Sequence, residues 1–237
     1  FSDDFEVKTA ANGEQGMEQA LSCIPDIIVS DIMMPVMNGI RMCKMLKEDV
    51  RTSHIPVILL TAKDSLQDKE EGYQVGADSY LTKPFSATLL HSRIHNLLES
   101  RKRLTERFST GTLHHNMDDK RALLAESLNK LDNEFIEKIN QLIEARLSSE
   151  KIDIGYLADN MCMSKSTLYR KMKALTGLST NEYVRKIKMQ YAERLLLEGR
   201  YNVSEIAFKV GLNSVVYFRQ CFKEEFGVLP SEYLKQS

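Results

Sequence analysis

The sequence predicts an α/β domain followed by an all-α domain, and three observations carry that prediction. Up to about residue 100, short apolar runs alternate with amphipathic helical patterns, which implies a parallel sheet with helices on both faces. Three of the runs deliver a polar residue at their carboxyl ends: Asp31 after Ile27-Ile28-Val29-Ser30, Thr61 after Val57-Ile58-Leu59-Leu60, and Lys83 after Tyr80-Leu81-Thr82. Residues 151–237 hold an internal repeat with a period of about fifty, the mark of a duplicated supersecondary unit.

In chain order, Phe5 to Ala10 reads as a strand, and Asn12-Gly13 turns into a helix ending near Cys23. Ile27 to Ser30 is a strand. Ile40 to Glu48 is helical, with Met42, Met45 and Leu46 in its apolar stripe. Pro56 to Leu60 is a strand, Ser65 to Val75 a helix closed by Gly76, and Ser79 to Leu81 a short strand. Ser86 caps a helix whose buried face is Leu89, Leu90, Ile94, Leu97 and Leu98, and Arg101-Lys102-Arg103 ends the domain. Ser109 to Lys120 is polar, without helical period, and reads as a linker. From Arg121 to Leu147 the pattern is helical, with Leu128, Leu131, Phe135, Ile139 and Leu142 at three- and four-residue spacing. Two readings compete there, a short dimerising coiled coil and a helix packed on the domain that follows; the shortness of the run favours packing. The expected boundaries are 1–107, a linker at 108–127, and 128–237.

The 237 residues leave room for two modest domains. There is no membrane-length apolar run and no signal peptide, and the four cysteines lack paired metal spacing, which points to a reducing cytoplasm. His91 and His95 could share a helix face, but with no third ligand in view they read as a solvated face. The net charge of -1 hides an asymmetry: residues 1–107 carry -3, residues 108–150 carry -3 and residues 151–237 carry +5. A basic carboxyl-terminal third beside an acidic front suggests a nucleic-acid-binding module joined to a regulatory one.

Carboxyl ends of parallel strands are where ligand sites form in open α/β sheets. A carboxylate, a hydroxyl and an ammonium meeting there have the chemistry of phosphoryl acceptance. The aspartate takes the group, while hydroxyl, lysine and a divalent cation hold and neutralise its oxygens. The spans from Asp31 to Thr61 and from Thr61 to Lys83, the Lys83-Pro84 pair, and Tyr80 three residues before the lysine closely resemble the response-regulator receiver domain, a flavodoxin-like fold. That resemblance implies Asp31 as phosphoacceptor, Thr61 and Lys83 as phosphoryl-contacting groups, and Tyr80 as switch aromatic. It further implies Mg2+ held by Asp31 and the main-chain carbonyl of Met33, and a histidine kinase as phosphate source. Receivers begin with a strand followed by an acidic pair. Here Ser2-Asp3-Asp4 runs straight into what resembles the second strand, so Asp3 and Asp4 precede the wrong strand. In the order 2-1-3-4-5 the absent strand lies between its neighbours, so Phe5–Ala10 is left without its partner. The expectation is a sheet of fewer than five strands from this chain, and a natural polypeptide that continues before Phe1.

In the repeat, Leu168-Tyr-Arg-Lys-Met-Lys173 answers Phe218-Arg-Gln-Cys-Phe-Lys223, and Gly177-Leu-Ser-Thr-Asn-Glu-Tyr183 answers Gly227-Val-Leu-Pro-Ser-Glu-Tyr233. Tyr156-Leu157-Ala158 answers Glu205-Ile206-Ala207, with a one-residue slip in the turn. Each unit reads as helix, tight turn, helix. In the first, Asp153 caps a helix with Ile154, Leu157, Ala158 and Met161 on one face, and Ser164 caps a second that buries Leu168, Met172 and Leu175. In the second, Asn202-Val-Ser-Glu205 is a capping box, Gly211 permits the turn, and Asn213 caps a helix that buries Phe218 and Phe222. A stiff helix from about Asn181 to Glu198 joins the units. The exposed faces, Lys165, Ser166, Thr167, Tyr169, Arg170 and Lys173 in one unit and Ser214, Val215, Tyr217, Arg219, Gln220 and Lys223 in the other, suit the major groove of double-stranded DNA. Residues 151–237 resemble the AraC/XylS family of DNA-binding domains throughout, most strongly from Gly211 to Tyr233. Two departures are Thr180, where relatives often have proline, and Glu224-Glu225, where they are often basic.

Together the resemblances imply a two-component transcription regulator, similar to the carboxyl end of hybrid sensors in which kinase, receiver and DNA-binding domain share one membrane-bound polypeptide. Phosphorylation would change the surface from Ser65 to Leu98 and alter dimerisation or packing on 121–147. The competing reading is a phosphorylation-independent DNA binder whose receiver only mediates interaction. A phosphohydrolase would need an acid/base aspartate where Met33 stands.

Overall fold

A computed structural model of the protein describes residues 4–62, 75–109, 129–148 and 152–236. The expected helix from Ser65 to Val75 and most of the linker lie outside these residues. The chain divides into two compact units, residues 1–105 with 128–132, and residues 106–127 with 133–237.

The first unit is built on three parallel strands in the order β1 (Ile28–Asp31), β2 (Val57–Thr61), β3 (Ser79–Thr82). Side chains of the central strand alternate between two cores, as a pleated strand requires. Val57 and Leu59 face α1 (Gly13–Cys23) and α2 (Gly39–Glu48), packing with Met17, Ala20, Ile40, Cys43 and Leu46. Ile58 faces the other way, with Leu81 and with Ile94 of α3 (Ala87–Ser109). Helices thus cover both faces of a flavodoxin-like sheet. Asn12 and Asn38 cap α1 and α2, accepting from the amides of Gln15 and Arg41. The buried face of α2 is Ile40, Met42, Cys43 and Leu46, and Met45, expected in its stripe, lies outside that face; Leu89 on α3 is likewise exposed.

Phe5 to Ala10 is not a strand. Its residues form no ladder; Phe5 packs on the α3 core and against the His91 ring, and the Thr9 carbonyl accepts from Gln19. The segment has strand-like composition, but a strand exists only by pairing, and no described strand lies on the free edge of β1 to supply donors and acceptors. The helix α3 does not stop at Arg101-Lys102-Arg103 but runs through it to Ser109. Burial lowers the Arg101 guanidinium from its ordinary value, against the opposing pull of Asp78 and Asp132. Asp132, 2% exposed, accepts from the Ser53 hydroxyl at 2.7 Å, and Asn129 Nδ2 donates to the Ser53 carbonyl at 3.1 Å. Asn129 Oδ1 also accepts from the Asp132 amide, capping α4 (Lys130–Glu144).

In the second unit the remainder of α4 buries Phe135, Ile136, Ile139 and Ile143. The Tyr183 hydroxyl donates to Asn140 Oδ1 at 2.9 Å, and the Lys171 ammonium lies 4.9 Å from the Phe135 ring centroid. The apolar stripe is therefore used against the helices that follow. Those are α5 (Ile154–Asn160) and α6 (Lys165–Thr176), the connector α7 (Thr180–Leu197), then α8 (Val203–Lys209), α9 (Val215–Phe226) and α10 (Pro230–Gln236).

Both turns of the repeat pass through left-handed backbone, at Cys162 (φ 52°) and Gly211 (φ 67°). Equivalent bonds close them, Met163 N to Ala158 O and Leu212 N to Ala207 O. The next helix is capped by Ser164 in the first unit and by Ser214, not Asn213, in the second. Asn213 is thus the single residue by which the two turns differ.

Thr180 stands at the first position of α7, where Pro230 stands in α10. Its hydroxyl is buried without a hydrogen-bond partner. Proline suits a first helical position, and Ser179 before it already has the extended conformation proline demands. Thr180→Pro is expected to raise stability by about 1 kcal/mol, through loss of an unpaired polar group and of unfolded-state freedom. A denaturation midpoint that falls would contradict this.

Candidate phosphoacceptor site and nucleic-acid interface

Parallel register brings the three strand ends together. Asp31 is aligned with Leu60 and Thr61 with Thr82; the Ile32 amide donates to the Leu60 carbonyl and the Lys83 amide to the Thr61 carbonyl. At this edge the Lys83 ammonium hydrogen-bonds Asp31 Oδ2, while Asp31 Oδ1 accepts from the Met33 amide at 3.2 Å. Both partners keep water access, the side chains of Asp31 and Lys83 being 34% and 44% exposed, so the carboxylate can be approached. Thr61 is almost fully buried, its hydroxyl donating to the Ala62 carbonyl at 3.2 Å. Tyr80 is half-buried, its ring against the core shared by α1 and α2. Lys83-Pro84 is a cis peptide.

Gly39, at the start of α2, carries a role that no sequence pattern marks. A Cβ on Gly39 would collide with the Asp31 carbonyl oxygen and stand 3.0 Å from Ser30 Oγ, while the Gly39 amide donates to the Ile32 carbonyl. The start of α2 therefore presses directly on the main chain that carries Asp31. Gly39→Ala is expected to cost about 2–3 kcal/mol, since the atom it strikes is main chain in a paired strand and has little room to yield. A chain with unchanged denaturation midpoint would refute it.

For a divalent cation, the fit rests on oxygen donors. The carboxylate of Asp31 and the carbonyl of Met33 are hard ligands of the kind Mg2+ prefers, with water and phosphoryl oxygens filling its remaining positions. Among the described residues no three His, Cys, Asp or Glu side chains converge as a metal cage. His91 lies 3.5 Å from Asp4.

On the second unit, Lys165, Ser166, Tyr169, Arg170 and Lys173 of α6 are exposed, with Thr167 half-buried beside the cap. The Lys173 ammonium turns back to the Gly177 carbonyl at the end of its own helix. On α9, Tyr217, Arg219, Gln220 and Lys223 are exposed. Ser214 is exposed too, but its hydroxyl caps the helix, accepting from the Tyr217 amide. Val215, expected on this face, is instead half-buried against the core. Val216, 77% exposed, takes the outward place. The cap falls at Ser214, so Val215 is the first helical residue, and each residue rotates the face by about 100°. The fifty-residue offset could have located Val216, since it answers Ser166. Glu224 and Glu225, the acidic departures, face Arg185 and Lys186 of α7 at 3.9 and 3.1 Å. Among the described residues no helix is long and apolar enough to cross a membrane.

Comparisons with known proteins agree with this division. Residues 2–95 match the response regulator receiver domain, and residues 157–236 a helix-turn-helix domain. The chain is similar to "Histidine kinase P4" of Formosa agariphila, 36% identical over 231 residues, which is 97% of this chain and 16% of that protein. It is also similar to the "Transcriptional regulatory protein CiaR" of Streptococcus pneumoniae, 43% identical over 107 residues, 45% of this chain and 47% of that one. Among solved structures it is similar to the C-terminal domain of AraT, a response regulator from Geobacillus stearothermophilus. There the identity is 29% and the TM-score 0.40, over 44% of this chain and 85% of that one. The chain spans less than half the length of these two curated relatives. With both matches on the chain in this order, residues 2–95 belong to the response regulator receiver domains and residues 157–236 to the AraC-type helix-turn-helix domains.

Proposed function

We propose that this chain is a phosphorylation-controlled transcription regulator: Asp31 accepts a phosphoryl group from a histidine kinase, and the second unit binds double-stranded DNA. The observation that carries the reading is the Asp31 carboxylate held against the Lys83 ammonium at the carboxyl edge of the sheet, beside Thr61. In the transfer an oxygen of Asp31 bonds to phosphorus as the P–N bond of a phosphohistidine breaks, and the leaving imidazole takes a proton. Lys83 offsets charge on the transferred oxygens, and the Thr61 hydroxyl exchanges its bond to Ala62 for one to a phosphoryl oxygen. Mg2+, when bound through Asp31 and the Met33 carbonyl, supplies further charge neutralisation. Tyr80, on the neighbouring strand opposite Leu59 and on the same face of the sheet as Thr61, follows the Thr61 hydroxyl in this reading. Similarity to a protein named as a histidine kinase, over nearly the whole chain, supports such a kinase as donor, on the same or another cytoplasmic polypeptide. A homodimer on DNA would read two copies of the site.

The test is intact mass before and after a small-molecule phosphodonor with Mg2+, followed by selection of duplexes from a randomised DNA library with each form. One phosphoryl adduct and a changed DNA affinity are expected. No adduct would leave a DNA binder whose receiver serves only for interaction. Alanine at Lys165, Arg170, Arg219 or Lys223 is expected to lower affinity and reduce the salt slope by about 1 where the cation meets a phosphate. An unchanged slope at all four would remove this face from the interface.

A further inference from the structure

The second recognition helix, α9, meets the connector α7 through two kinds of contact. One is apolar. Phe218 and Phe222, 1% and 0% exposed, sit in a core with Met189, Ala192 and Leu196. The other is ionic. Lys186 Nζ lies 3.1 Å from Glu225 Oε1, with side chains only 4% and 20% exposed. Arg185 Nη1 lies 3.9 Å from Glu224 Oε2, with side chains 46% and 51% exposed. Gln220 Nε2 donates to the other oxygen of Glu224 at 3.1 Å. Gln220 and Glu224 are one turn apart on α9, so Glu224 joins Arg185 of the connector to Gln220 of the recognition helix. On this flank Met189, Cys221 and the two ion pairs line a half-open pocket of about 140 Å³.

The two contacts constrain different motions. Apolar burial is non-directional, so the Phe218–Phe222 ridge holds α9 against α7 without tying particular atoms of the two helices together. Ion pairs between defined atoms on the flank resist rotation of α9. The first helix-turn-helix is built otherwise: the fifty-residue offset places Ala174 and Leu175 where Glu224 and Glu225 stand, and Leu175 is simply buried.

We propose that Lys186 and Arg185 are positioning residues of the second recognition helix, whose pairs with Glu225 and Glu224 set its rotation and so determine which of Val216, Arg219, Gln220 and Lys223 reach base edges. This rests on the DNA-binding reading. The two acidic residues, which look unsuited to a DNA binder, are internal counter-ions of the connector. Sequence selectivity in the second half of the operator depends on them, while the first half does not.

The experiment uses the full chain and a duplex that it selects from a randomised library, with affinity measured for every single-base replacement. Arg170→Ala and Gln220→Ala mark which bases belong to the first and second units. Lys186→Glu and Glu225→Lys are each expected to lower affinity about tenfold and to flatten base preference in the second half only. The exchanged double variant, K186E/E225K, recovers the preference and comes within about threefold of the original affinity. Glu225→Gln, which removes charge without reversing it, gives a milder loss with the same base pattern and guards against misfolding of the reversed variants. Singles that keep the original base profile, a uniform loss across both halves, or a double variant no better than the singles would each overturn the proposal. Failure of the unaltered chain to select any duplex would refute DNA binding itself, and the positioning role with it.

Discussion

An Asp31→Asn chain is expected to take up no phosphoryl group under conditions in which the unaltered chain gains one. The carboxamide nearly reproduces the shape of the carboxylate and can still accept from the Met33 amide at Oδ1, but it is too weak a nucleophile to form an acyl phosphate. What the fold loses is the bond to Lys83. Both side chains are a third or more exposed, and pairs of that kind contribute at most about 1 kcal/mol. The denaturation midpoint should therefore move little while phosphorylation disappears, which separates chemistry from folding. Lys83→Ala leaves the nucleophile in place and removes the cation, so labelling is expected to slow by about a hundredfold or more, on the scale of a lost transition-state donor. Intact mass against time reads both. A full adduct on the Asp31→Asn chain would move the acceptor elsewhere and end the assignment.

The largest expected loss of stability comes from Phe222→Ala. Phe222 is fully buried at the centre of an aromatic cluster, with ring centroids 5.9 Å from Phe218, 4.5 Å from Phe226 and 5.7 Å edge-on from Tyr233. Truncating such a ring costs about 3–5 kcal/mol, because the walls of the void relax only in part. Whole domains are stable by only about 5–15 kcal/mol, so the second helix-turn-helix approaches unfolding while β1–β3 keep their own cores. Amide hydrogen exchange should show protection lost across α7 to α10 and retained in the sheet. Phe222→Leu, which fills most of the space, should recover about half of the loss. Equal loss of protection in both units would show that they unfold as one.

Much of this fold was legible because its signals are local. A buried strand announces itself by an apolar run, and the run that ends in a polar residue places that residue at the sheet edge. Asp31, Thr61 and Lys83 could be named on those grounds. Caps are equally local, since donor and acceptor lie within three residues: Asp153, Ser164 and the Asn202–Glu205 box cap the helices expected. The signals that misled were local preferences overruled by distant partners. Phe5–Ala10 has strand composition and no ladder. Met45 and Leu89 are apolar on helices whose buried faces lie a fraction of a turn away. Asn213 and Ser214 are both good caps, and the choice between them rotated Val215 inward and Val216 out.

By itself, then, the sequence determined the two architectures, the strand ends that carry Asp31, Thr61 and Lys83, and the duplication of the helix-turn-helix. All of these follow from periodicity and short-range hydrogen bonding. The tertiary structure alone decided the pairings between residues far apart in the chain: Ser53 with Asp132, Tyr183 with Asn140, Gly39 against the main chain of Asp31, and Arg185 and Lys186 with Glu224 and Glu225. A lone serine, glycine or glutamate has no pattern that reveals such a partner. Its role arises only when packing removes water from around it, and the cost of leaving a polar group or charge unmatched there selects the neighbour that satisfies it.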